Sequence, residues 1–183
     1  MSASDGRGPA ASQFIGAHTV ATSEAMEEFG HLLGSSLRAG DLLVLTGPLG
    51  AGKTTLTRGI GEGLNVRGPV TSPTFVLART HPSLAGGPPL VHVDAYRLGS
   101  ALELDDLDID FARSVVVVEW GSGMLDGVAE SWLDVTIERP TGGDASSADT
   151  APTDADAARD DDEDAAPEEP RTVTITPHGP RWA

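Results

Sequence analysis

Apolar and polar positions alternate along this chain with two different periods. Ala25, Met26, Phe29, Leu32, Leu33 and Leu37 recur at the spacing of one helix face, which predicts a helix over residues 23–38. Ser23 is its expected N-cap, and Glu24, Glu27 and Glu28 suit the positive end of a helix dipole. Ala39-Gly40-Asp41 turns the chain into Leu42-Leu43-Val44-Leu45, a run with no polar position. Such runs belong to parallel strands covered on both faces. Leu56, Ile60 and Leu64 mark a second helix over 53–64, weakened by Gly59, Gly61 and Gly63. Residues 19–21, 74–80, 90–93 and 115–118 read as strands, and 98–113 as one or two short helices. Residues 132–138 and 171–176 each alternate with period two and predict an antiparallel hairpin. The expected fold is α/β: a mostly parallel sheet flanked by helices, with the hairpin at its C-terminal end.

Between the apolar run at 42–45 and the second helix lies Gly47-Pro48-Leu49-Gly50-Ala51-Gly52-Lys53-Thr54, which matches the full G-x-x-x-x-G-K-[ST] pattern. Glycines let the backbone curl so that successive N–H groups point at phosphate oxygens, and the following helix adds its positive end. This makes the sheet of the P-loop NTPase type. The candidate nucleotide-binding residues are Gly47, Leu49, Gly50, Ala51, Gly52, Lys53, Thr54 and Thr55. In this pattern Lys53 reaches the β- and γ-phosphates of ATP, and the Thr54 hydroxyl is a Mg²⁺ ligand.

Two carboxylates close predicted strands, Asp94 after Leu90-Val91-His92-Val93 and Glu119 after Val115 to Val118. P-loop enzymes use an acid at the end of a neighbouring strand to hold Mg²⁺, often through water. Either residue can serve, and the sequence leaves open which holds the metal and which directs the attacking water. Ser72-Pro73-Thr74 lies some twenty residues past Lys53, where a switch segment can bring a hydroxyl to the γ-phosphate. Trp120, next to Glu119, is a candidate to line the pocket. The five histidines show no metal-ligand spacing, although His92 falls in His92-x-Asp94.

Composition sharpens this picture. The 183 residues suit one domain. Without cysteine there is no disulfide, thiolate metal site or cysteine nucleophile. No apolar run approaches the roughly 18 residues of a membrane span. With no basic, apolar leader at residues 1–12, a cytoplasmic location is expected. Eleven arginines stand against one lysine, and that lysine is Lys53. A compact ammonium suits a tight phosphate loop where the wide guanidinium does not. Of the formal charge of −16, −10 falls within residues 144–169, which hold eleven acids and only Arg159 as a base. Nothing in the rest reads as a DNA or general nucleic-acid footprint. The expected division is a disordered lead-in over 1–13, the ATPase domain over 14–139, an acidic disordered loop over 140–170, and the final strand and tail over 171–183.

Taken in order, Gly47-Pro-Leu-Gly-Ala-Gly-Lys-Thr-Thr55, Thr71-Ser-Pro-Thr-Phe75, His92-Val-Asp-Ala-Tyr-Arg97 and Val117-Val-Glu-Trp-Gly121 resemble the TsaE family. That family is the ATPase component of bacterial tRNA threonylcarbamoyladenosine biosynthesis. The resemblance implies that Lys53, Thr54 and Thr55 hold phosphates and Mg²⁺, and that Thr74 senses the γ-phosphate. It places Asp94 in the catalytic centre, makes Glu119 the Mg²⁺-associated acid, and has Trp120 line the nucleotide site. It also implies the partners TsaD and TsaB, which carry out threonylcarbamoyl transfer beside the tRNA anticodon, so that contact with tRNA is indirect. The chain departs from the family at Pro48, where Asp is frequent, at Gly121, where Pro is frequent, and at Met26, where Thr is frequent.

An ATP-gated adaptor with incidental hydrolysis is the alternative from another class. A small-molecule kinase would want several lid arginines, and those after Arg97 are scattered in sequence. A GTPase would need Asn-Lys-x-Asp, which is absent.

Overall fold

The computed structural model describes residues 10–73, 76–140 and 169–183. Seven strands form one sheet: β1 (Gly16–Val20), β2 (Leu42–Thr46), β3 (Ala78–His81), β4 (Leu90–Asp94), β5 (Val115–Glu119), β6 (Trp132–Glu138) and β7 (Arg171–His178). Their spatial order is β1-β7-β6-β2-β5-β4-β3. The middle strands β6, β2, β5 and β4 run parallel. At the edges β3 pairs antiparallel with β4, β7 with β6, and β1 with β7. The α/β class and the C-terminal hairpin are therefore as expected, and the sheet is parallel in its middle.

Four helical positions of α1 (Ser23–Ser36), Met26, Gly30, Leu33 and Gly34, are buried on the face shared with α2 (Lys53–Gly63). Leu43, Leu45, Val117, Leu133, Val135 and Ile137 meet Leu33, Leu56 and Ile60 in the larger core. The alternate residues Leu42, Val44, Val91, Val93, Val116 and Val118 pack on the other face against Leu98, Leu104 and Leu125. This two-sided burial explains why β2, β4 and β5 read as continuous apolar runs.

The helical stretch expected over 98–113 is reduced to Ala101–Asp105, and three further boundaries differ from the sequence reading for visible reasons. Thr22 is the N-cap of α1, its hydroxyl accepting from the Ala25 N–H at 3.0 Å, and Ser23 is the first helical residue. The first strand covers Gly16–Val20 rather than 19–21, because β7 offers partners from Ile175 to Arg171. Of the described residues expected in the 74–80 strand, 76 and 77 lie outside it and β3 begins at Ala78, because β4 ends at Asp94, whose N–H donates to the Leu77 carbonyl. At the N-terminus a 3-10 turn covers Ala10–Phe14 and buries Ala11.

Of the three glycines of α2, Gly61 faces Val66, Val70 and Leu90 of β4, whereas Gly59 and Gly63 face α1. A Cβ at Gly59 would run into the Glu27 carbonyl, and one at Gly63 into the His31 carbonyl. Gly30 and Gly34 of α1 face the Leu56 and Ile60 carbonyls in the same way. The two helices thus pack backbone to backbone, and this contact fixes the start of α2, where Lys53 sits. Gly59→Ala should lower stability by about 2 kcal/mol through overpacking, against the roughly 1 kcal/mol that helix propensity alone would add. Thermal unfolding checks this, and a raised midpoint would refute the close contact.

His81, at the end of β3, is buried, with Nδ1 3.1 Å from the Arg67 carbonyl and Nε2 without a hydrogen-bond partner among the described residues. Burial pushes its pKa below the ordinary value, and the Arg67 carbonyl only partly restores it. The unfolded chain takes up this proton near pH 6.5, before the folded chain does, so stability falls as pH drops below about 6.5. His81→Asn should flatten that part of the urea-midpoint profile. An unchanged slope would show that His81 does not titrate between the two states.

Candidate active site at the strand ends

The parallel register brings three strand ends to one edge. Leu45 of β2 pairs with Glu119 of β5, and Glu119 pairs with Asp94 of β4. Between β5 and β6, β2 leads straight into the glycine-rich loop 47–54. In open α/β sheets ligands bind at such carboxyl ends. Gly50 (φ 72°) and Gly52 (φ 108°) carry the left-handed backbone that curls the loop, and Gly52 caps α2. A Cβ on Gly47 would meet the Ile137 carbonyl at 2.7 Å, so the loop starts tight against β6. Leu49 stands at the rim, 84% exposed, whereas Ala51 is buried. Thr54 and Thr55 follow in the first turn of α2, both half-buried.

Lys53 is only 6% exposed. Its Nζ donates to the Gly47 carbonyl at 2.8 Å and the Pro48 carbonyl at 3.0 Å. The same Nζ lies 4.2 Å from the centre of the Trp120 ring. Burial pushes the lysine pKa down, and the charges of Glu119 and then Asp94 push it back up. Both carboxylates therefore lie near enough to act on the ammonium.

Trp120 has φ 62°, a left-handed conformation uncommon for a bulky residue. Its N–H donates to the Leu45 carbonyl, and its ring meets Tyr96 edge-on at 5.5 Å. These contacts hold the indole over Lys53 and take it out of the core. Strain of this sort gathers at functional sites.

Asp94 and Glu119 differ in surroundings. Asp94 Oδ1 accepts from the Tyr96 N–H at 3.0 Å, which caps the 3-10 turn Ala95–Arg97 and fixes the carboxylate at the strand end. Glu119 is 3% exposed, and its Oε1 approaches His92 Nε2 at 3.3 Å. That approach is not aligned as a hydrogen bond, and both His92 nitrogens and Glu119 Oε1 remain unpartnered among the described residues. A buried carboxylate oxygen in that state suits a hard cation, so Glu119 fits the chemistry of a Mg²⁺ ligand. Thr74 and Phe75 lie outside the described residues, as does most of the acidic segment, 141–168.

With that geometry in place, the family model described as "Threonylcarbamoyl adenosine biosynthesis protein TsaE" matches residues 20–146. The chain belongs to the TsaE family. A Streptomyces coelicolor TsaE, named a tRNA threonylcarbamoyladenosine biosynthesis protein, is 53% identical over 161 residues, covering 86% of this chain and 94% of that protein. A Mycobacterium tuberculosis TsaE is 51% identical over 133 residues, covering 68% of this chain and 79% of its own length. The crystal structure of Bacillus subtilis YdiB superposes with a TM-score of 0.63 at 27% identity, over 91% of this chain and 87% of that one.

At Met26, Pro48 and Gly121, where the resemblance implies other residues, the structure gives the local outcome. Met26 is buried, and its side chain lies beneath Gly52, a wholly apolar support for the loop. Pro48 contributes its carbonyl to Lys53, and Gly121 packs against Val118 and Val44. Two site residues escaped the sequence reading. Arg139 Nη2 donates to the Gly50 carbonyl at 2.8 Å, and Arg171 Nε to the Ala51 carbonyl at 3.3 Å. Arginines scattered in sequence thus converge on the loop, because β6 runs parallel to β2 and β7 returns beside β6. Only the strand order reveals this, and the hairpin pattern alone does not contain it. Among the described residues no helix is long and apolar enough to cross a membrane.

Proposed function

We propose that this protein binds ATP with Mg²⁺ at the loop 47–54, hydrolyses it slowly, and supports tRNA threonylcarbamoyladenosine formation in the cytoplasm together with TsaD and TsaB homologues. The observation that carries this reading is the convergence of Lys53, Asp94 and Glu119 on one glycine cradle at the ends of β2, β4 and β5. Loop amides and Lys53 take the phosphates, with Lys53 leaving the Gly47 and Pro48 carbonyls to do so. Thr54 and Glu119 hold the metal, which when bound neutralises charge on the phosphate oxygens. Asp94, turned by the Tyr96 N–H, directs the attacking water. Trp120 lines the nucleotide site beside Lys53. From the switch segment, Thr74 would sense the γ-phosphate. The relatives' printed names support the tRNA pathway.

The adaptor reading draws on the same lysine. Lys53 rests on two carbonyls and an indole, and if phosphate draws it to a second position, nucleotide can set a docking conformation through that choice alone.

Hydrolysis by the purified chain should be slow, and TsaD, TsaB and tRNA together should raise it strongly. Lys53→Ala should weaken ATP binding by about a hundredfold, read by calorimetry. Asp94→Asn should keep binding and lose about a hundredfold or more in turnover. Undiminished binding by the lysine variant would remove the phosphate assignment. Full tRNA modification with a hydrolytically dead Asp94 variant would favour the adaptor.

A further inference from the structure

Every phosphate loop must dispose of its outward carbonyls, and here the donors come from two sources. Lys53 Nζ takes those of Gly47 and Pro48, whereas Arg139 and Arg171 take those of Gly50 and Ala51. We propose that Arg139 and Arg171 are positioning residues that preset the phosphate cradle by pinning two of its peptide planes. The inference rests on the reading of this loop as a triphosphate site.

The argument follows from peptide geometry. In a planar trans peptide the C=O and the next N–H point to opposite sides. Holding the Gly50 carbonyl on Arg139 turns the Ala51 N–H away from the arginine, where it closes a turn onto the Pro48 carbonyl at 3.1 Å. Holding the Ala51 carbonyl on Arg171 turns the Gly52 N–H away in the same sense. The Gly52 amide so directed serves the donor face that an anion requires, while the Ala51 amide closes the turn that shapes the loop. Residue 50 is fitted to this arrangement, since its φ of 72° calls for glycine, and an ideal Cβ there would stand 3.0 Å from Arg139 Nη2.

The two donor sets differ in permanence. Lys53 must release its carbonyls to reach phosphate. Arg171 is held in place, its Nη1 donating to the Glu169 carbonyl at 2.6 Å while Nε serves Ala51. Arg139 follows directly on β6, the strand parallel to β2. The arginines therefore keep the loop shaped while the lysine changes partners. Their contacts lie on loop carbonyls, which marks them as acting through the loop rather than as fingers on the phosphate.

The test uses the full chain and two readouts. Amide hydrogen exchange of peptides covering 47–54, without nucleotide, should rise about tenfold in Arg139→Gln and Arg171→Gln. Calorimetric affinity for Mg-ATP should fall by about the same factor. Arg139→Lys, which keeps a donor, should recover part of both, and thermal midpoints should barely move for the exposed Arg139. Unchanged exchange with weakened binding would overturn the proposal and make these arginines direct ligands. Unchanged exchange and binding, with Lys53→Ala still losing ATP, would overturn it and leave the phosphate site standing. Failure of the wild type to bind Mg-ATP would remove the reading beneath it and the proposal as well.

Discussion

Parallel pairing of β2 with β5 on one side and β6 on the other organises this molecule. Parallel strands end at the same edge, so the loop after β2 opens beside whatever β4, β5 and β6 carry at their own ends. Glu119 and Asp94 arrive from one side, and Arg139 with its neighbour Arg171 from the other. An acidic flank and a basic flank thus enclose one glycine loop. The buried valines of β5 set this layout as firmly as any polar residue, since a one-residue slip would turn Glu119 to the other face of the sheet.

The second constraint is the glycine contact between α1 and α2. Lys53 is the first residue of α2, and a helix start moves with its helix. Backbone-to-backbone packing leaves α2 little freedom to rock, because neither partner has a side chain at the crossing that could rotate away. Met26, from the same face of α1, closes the space under Gly52. The helix that reads as weak by propensity is held by packing instead, the usual resolution when intrinsic preference and tertiary contact disagree.

Much of this was legible in the sequence for identifiable reasons. The central strands show as apolar runs because both faces are covered, and the loop 47–54 shows because its glycine-lysine pattern admits few residues. Asp94 and Glu119 were visible as acids closing such runs. The switch-like stretch at Ser72-Pro73 and the indole at Trp120 took meaning mainly from the family resemblance. What stayed hidden depends on strand order. Arg139 and Arg171 stand 32 positions apart on a hairpin whose pattern reveals its pairing but not its neighbour. The partners of the α2 glycines were hidden likewise, since a missing side chain does not announce what approaches it. The start of β3 was misread because it depends on where β4 stops offering partners.

The resting position of Lys53 bears on how tightly such a site can hold phosphate. Two carbonyl bonds and an indole face already engage the ammonium, so a phosphate bound as proposed would exchange interactions rather than add them. The gain is the difference between two good environments. Trp120 is part of the same exchange, for its left-handed backbone and its edge contact with Tyr96 keep the ring where the lysine rests. If the ring moves when the lysine leaves, it carries the change to Tyr96, which is 54% exposed. A partner that presses on Tyr96 would then act on Lys53 through a single intervening side chain. Coupling over that distance needs no long pathway, only a lysine with two positions and a surface residue biased toward one of them.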